Sequence, residues 1–197
     1  MTDADSPEAQ RLLDAAVSVI LERGVVSLSL SQLAKAIGSN NRMLLYYFGS
    51  KDELFTRATL EAYGRFPGLA ALIPSLSGPG SMPAVLSAGW RVLRAEEHHE
   101  YHRLFFEVLA LAMRAPEENR AQLGVLATHW PDGIRAAFRA HGWAPDAAAR
   151  ATLQLLALWR GLQTELLTSG EPSALDAAHD AAVEALFAAP TAAVDPS

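Results

Sequence analysis

From Val25 to Lys51 the sequence holds no Asp or Glu, yet it carries Lys35, Arg42 and Lys51, with Asn41, Tyr46 and Tyr47 in the same stretch. In a chain whose formal net charge is −6, such a gap marks a surface suited to an anion. The chemistry of the individual side chains narrows the choice. A guanidinium such as that of Arg42 pairs in a two-pronged way with O6 and N7 of guanine, and an amide such as that of Asn41 does the same with adenine. A lysine such as Lys51 meets a phosphate oxygen as a point charge.

Two short helices are needed to present these groups. Leu30, Leu33, Ala34 and Ile37 recur at i, i+3, i+4 and i+7, one apolar face of a helix, with Ser29 placed as its N-cap. Gly38 follows, at a position that favours a residue able to adopt positive φ. A second helix is expected from about Asn41 to Tyr47, in which Leu44 and Phe48 point back at the first. Arg42 and Tyr46 then face outward, flanked by Met43 and Leu45. Helix, glycine turn and helix with a polar outward face make a helix-turn-helix over about 29–48, whose second helix lies in the DNA major groove.

The run LAKAIGSNNRMLLYYFGSKDEL also resembles the signature of the tetracycline-repressor (TetR) family of transcriptional regulators. The resemblance rests on Leu33-Ala34, Gly38, the Leu44 to Phe48 aromatic run and Ser50-Lys51-Asp52-Glu53-Leu54, and covers about the first third of the chain. It implies a double-stranded DNA operator as partner, a C-terminal helical domain that binds a small-molecule effector, and a homodimer. By similarity, Asn41, Arg42 and Met43 would read base edges. Tyr46, Tyr47, Lys51 and the helix start at Leu30 and Ser31 would hold phosphates. Two positions depart from the pattern: Ser39-Asn40 stands where relatives carry Val-Ser or similar, and Leu45 stands where they carry a tyrosine. Leu45 would either meet thymine methyls or sugars by apolar contact or forgo one backbone contact.

Composition sets the remaining bounds. A chain of 197 residues with 50% hydrophobic and 19% charged residues reads as an ordinary globular protein able to bury about 70% of its unfolded surface. Residues 1–66 carry 7 Lys/Arg against 8 Asp/Glu, and residues 67–197 carry 9 against 14, so the acidity is concentrated in the second part. The absence of cysteine rules out disulfides and thiolate metal sites. The acidic start MTDADSPEAQ does not read as a signal peptide and no run of 18 apolar residues occurs, so a cytoplasmic protein without membrane contact is expected.

Along the chain, Ser6-Pro7-Glu8 reads as a helix start and Gly24 as its end, giving a first helix that braces the helix-turn-helix. Ser50 to Glu53 reads as a capping box that opens a fourth helix running to about Phe66. Residues 67–83 hold four prolines and three glycines and read as a linker. Helices are expected over about 83–97, 98–114, 117–141 with Pro131 inside, 146–169 and 173–188. The expectation is therefore an all-α protein of about nine helices: a DNA-binding domain at 6–66, a linker at 67–83, a helical effector-binding and dimerisation domain at 84–189, and a disordered tail at 190–197.

Within the second domain, Trp90, Phe105, Phe106, Met113, Trp130 and Trp159 are large side chains spread over four expected helices, with Gln163 close to Trp159 in sequence. They are the candidate effector-binding residues, although such residues also build plain cores. His98 and His102 stand at i, i+4, a spacing able to hold a divalent metal. No third ligand follows at fixed spacing, so they read as a solvated polar junction between two helices, and neither metal nor cofactor is expected. A helical small-molecule-binding protein or enzyme is the rival reading. No nucleophile–base pair, phosphate loop or carboxylate dyad at meaningful spacing speaks for it. The sequence thus points to a repressor released from a palindromic operator by a small, largely apolar effector.

Overall fold

The computed structural model describes residues 6–114, 120–168 and 170–188. Among these the protein is all-α, with ten helices and a single turn of 3-10 helix. The chain forms two compact units that do not follow chain order: residues 1–67 with 100–123, and residues 68–99 with 124–197. The expected tail at 190–197 lies outside the described residues.

The first unit opens with α1 (Pro7–Arg23). Its start is set by Ser6, whose hydroxyl accepts from the N–H of Ala9 at 3.2 Å, and by Pro7, whose fixed φ suits the first helical position. It stops at Gly24, where φ is +74°. Helix α2 (Leu30–Ala36) begins with a reciprocal box: Ser29 accepts from Gln32 N–H at 3.2 Å, and the Gln32 side chain accepts from Ser29 N–H at 2.8 Å. After Gly38 (φ +67°), α3 (Asn41–Phe48) is capped by Asn40, whose carbonyl oxygen accepts from Met43 N–H at 3.0 Å. Helix α4 (Lys51–Gly64) is capped by Ser50, which accepts from Glu53 N–H at 3.0 Å. Only half of the expected box forms there, because the N–H of Ser50 donates to the Phe48 carbonyl at 2.9 Å instead of to Glu53.

These four helices share one core. Leu12, Ala16 and Ile20 of α1, Leu33, Ala34 and Ile37 beside α2, Leu44 and Phe48 of α3, and Leu54 and Ala58 of α4 are all buried in it. The guanidinium of Arg65 ties the end of α4 back to α1 by donating to the Asp14 carbonyl at 2.7 Å and to the Ser18 hydroxyl at 2.8 Å. The same core takes Leu104 from α7 (His99–Arg114), with Tyr101 and Val108 packed at its edge.

The second unit contains the helix that the sequence reading did not expect. Residues 67–75, read as linker, form α5 (Pro67–Ser75), so ten helices stand where about nine were expected. Pro67 occupies a first-turn position that needs no N–H, and Leu69, Leu72 and Ile73 give the segment a buried face, which outweighs its proline and glycine content. Gly68 and Pro74 lie inside α5; Gly78, Pro79 and Gly80 fall in the turn before α6 (Met82–Leu93), whose first turn holds Pro83 and which the 3-10 turn at Glu96–His98 follows. Helices α8 (Arg120–Ala140), α9 (Pro145–Thr168) and α10 (Pro172–Ala188) complete the chain, with Pro131 inside α8 and Gly142 (φ +86°) after it. Trp90, Trp159, Phe138, Leu72 and Leu86 are fully enclosed and define the core of this unit.

Candidate nucleic-acid interface

Helix α3 buries only Leu44 and Phe48, four residues apart, so one stripe holds it to the core and the rest faces outward. Asn41, Arg42, Leu45 and Tyr46 are exposed, Leu45 at 43% and Tyr46 at 55%, while Met43 and Tyr47 are half-buried. The side-chain amide of Asn41 donates to the hydroxyl of Ser31 on α2 at 2.7 Å. That bond fixes the first residue of α3 against the first turn of α2. The Tyr46 and Tyr47 rings meet edge to face with centroids 5.0 Å apart, which braces two phenol groups on the lower half of the helix.

Around this face the sign of the charge is uniform on α2 and α3, since neither helix contains an acid. Lys51 stands at the first position of α4, its ammonium 5.0 Å from the centroid of the Phe55 ring, and Arg57 lies over the Phe48 ring at 5.6 Å. Lys51 is thereby held beside a helix start, where free backbone N–H groups already favour a phosphate oxygen. Leu30 differs from its neighbours: it is half-buried and packs against the core, so only its outer edge is open. Sequence reasoning singled out the departure at Ser39-Asn40 without noticing that Asn40 caps α3; an asparagine just before an apolar period is the signal that would have found it.

Residues 12–58 match the family model described as bacterial regulatory proteins, tetR family. Over this segment the chain is similar to the TetR family. It is similar to the HTH-type transcriptional repressor NicS of Pseudomonas putida, 38% identical over 55 residues that make up 28% of this chain and 26% of that repressor. The multidrug binding protein EbrR in complex with imidazole is 26% identical, with a TM-score of 0.68 over 95% of this chain and 93% of the other. Its complex with ethidium is 25% identical, with a TM-score of 0.65 over 93% and 98% of the two chains. The matched segment spans the α2–α3 pair and stops within α4.

The seven aromatic, sulfur and amide residues singled out as effector candidates divide between the two units. Trp90, Trp130, Trp159 and Gln163 belong to the second, and Phe105, Phe106 and Met113 of α7 belong to the first. The Trp130 and Trp159 rings meet edge to face with centroids 6.5 Å apart, and Trp159 Nε1 is buried with no hydrogen-bond partner among the described residues. Gln163 is buried one turn along α9 from Trp159. Phe105 and Phe106 are half-buried and in mutual edge contact, whereas Met113 is 61% exposed.

His98 and His102 are both buried, so the expected solvated junction is not what forms. Nδ1 of His98 meets the Val92 carbonyl at 2.7 Å. Among the described residues no group of three His, Cys, Asp or Glu side chains converges as a metal site. A polar cluster that the sequence did not reveal lies between α6 and α10. Trp90 Nε1 donates to Asp176 at 2.8 Å, Arg94 pairs with the same carboxylate at 2.9 Å, and the Trp90 ring stacks on His179 with centroids 5.5 Å apart. Burial lowers the pKa of His179, partly countered by its bond to Asp180 and by the charges of Asp180 and Asp176.

Proposed function

We propose that this protein is a TetR-type DNA-binding transcriptional repressor that leaves a palindromic operator when a small, largely apolar effector binds. The observation that carries the DNA half is the exposed, acid-free face of α3, with Asn41 and Arg42 at its start and Lys51 beside it. Asn41, Arg42 and Met43 enter the major groove and read base edges. Ser31, Tyr46, Tyr47 and Lys51 hold the phosphate backbone, with Leu30 and Leu45 in apolar contact beside them.

Dimerisation is supported by the outer faces of α9 and α10. On α10, Ala174, Ala178, Ala181, Ala185 and Ala188 are all exposed at alternating spacings of four and three, a seam at heptad period. On α9, Leu153 is 70% exposed and is followed on the same face by Ala157, Gly161 and Thr164. Small side chains let two helix pairs approach closely as a four-helix bundle about a two-fold axis. Two-fold symmetry sets the half-sites whole turns of about 34–36 Å apart.

The effector reading is supported by Trp130, Trp159 and Gln163 in the second unit, and by the relative described as a multidrug binding protein in complex with ethidium and imidazole. One experiment tests the whole: fragments selected by the protein from a random DNA pool are sequenced, and binding is repeated with apolar compounds that quench tryptophan fluorescence. A palindromic consensus whose binding is lost as quenching saturates is expected. Selection of no consensus overturns the DNA reading, and quenching without loss of operator binding overturns the effector reading.

A further inference from the structure

The turn between α1 and α2 is held by a residue 82 positions away. Glu107 of α7 accepts the N–H of Val25 at 2.7 Å and the N–H of Val26 at 3.2 Å, both on Oε2. The carboxyl group lies against Gly24, where a Cβ would come within 2.8 Å of Glu107 Cδ and closer still to its oxygens. Gly24 is thus fixed twice over, by its φ of +74° and by the carboxylate packed on it. The turn needs such a partner. Val26 is 65% exposed and only Val25 and Leu28 anchor these residues in the core, so apolar burial alone secures one side of the loop.

We propose that Glu107 is a positioning residue for DNA recognition, acting through the backbone of Val25 and Val26 to fix the angle at which α2 and α3 leave α1. The proposal rests on the DNA-binding reading of α3. Two charge-assisted bonds to one oxygen hold the loop in place, and the loop leads within three residues to Ser29, the cap of α2. Because Ser31 on α2 in turn holds Asn41, a displaced loop shifts the first residue of α3. The segment that matches the family model ends at residue 58, so this restraint comes from outside it.

The test uses the full chain and an operator selected by the unaltered protein. Glu107→Ala is expected to weaken operator binding about tenfold while non-specific DNA binding changes less, and to remove hydrogen-exchange protection at the amides of Val25 and Val26. Glu107→Gln keeps an acceptor oxygen of the same reach and is expected to restore both protection and affinity to within about threefold. Should the alanine variant not fold, Glu107→Asp, one methylene short, replaces it with the same expectation. Unchanged operator affinity in the folded alanine or aspartate variant overturns the proposal, as does loss of affinity with the Val25 and Val26 amides still protected. If the unaltered protein selects no operator, it is the DNA-binding reading that fails.

Discussion

The amide of Asn41 donates to the hydroxyl of Ser31 at 2.7 Å, joining the first residue of α3 to the first turn of α2. One amide hydrogen is committed to this bond, which leaves the other and the carbonyl oxygen to face a base. Ser31→Ala releases the amide to rotate. Base preference at the position read by Asn41 is then expected to fall by about 1 kcal/mol, with little change in binding to unrelated DNA. Comparing operators altered at single positions checks this; equal weakening on every sequence would show that Ser31 serves only as a backbone contact.

Arg42 and Lys51 should fail in different ways. Arg42→Ala is expected to relax preference at one position per half-site by about 1–3 kcal/mol, whereas Lys51→Ala should weaken all sequences alike and reduce the salt slope by about one. Titrations of both variants at several salt concentrations separate the two. Loss of the Phe55 contact on removing Lys51 is a surface effect and should leave the thermal midpoint nearly unchanged.

His179 couples stability to pH in the second unit. It is fully enclosed, faces Asp176 and Asp180 from its own helix with Arg91 and Arg94 of α6 nearby, and has a pKa held below 6.5 chiefly by burial. In the unfolded chain the ring therefore takes up a proton at higher pH than in the folded one. Stability is full above 6.5 and is lost as pH falls from 6.5 through the lower folded value. Thermal midpoints measured across that window should decline for the unaltered protein, and His179→Asn should flatten the decline.

Gly133 of α8 lies directly against Ile73 of α5, where a Cβ would overlap Ile73 Cγ2. Ile73 is buried and stiff at χ1, so it cannot swing aside. Gly133→Ala is expected to destabilise by about 1–3 kcal/mol despite the better helix propensity of alanine. In an Ile73→Ala background the same change should cost far less, because the overlapping methyl is gone. Denaturant midpoints of the four proteins in this cycle give the coupling directly.

A dimer seam of alanines predicts a sharp response to charge. Ala181→Glu sits mid-seam on an exposed face of α10, so the folded monomer should tolerate it while association is lost. Sedimentation at micromolar concentration, together with unchanged helical signal, checks the expectation. A dimer that persists in this variant would place the interface elsewhere.

The helix-turn-helix was legible because its determinants are local. Ser29, Gly38, Leu44 and Phe48 act within a few residues of themselves, through caps, a positive-φ turn and a 3.6-residue period, and the structure forms α2 and α3 at those positions. The same logic placed α1 at Pro7 and α10 at Pro172 to within a residue or two. It misjudged Pro67–Ser75, where proline and glycine content outvoted a short apolar stripe whose worth depends on what covers it. What the sequence could not contain is pairing at long range. That Glu107 would accept from Val25 and Val26, that Asp176 would meet both Trp90 and Arg94, and that Ile73 would require a glycine at 133 are facts of tertiary packing. Each joins residues far apart in the chain, and no local period or cap encodes which distant partner a buried polar group or a missing side chain will meet.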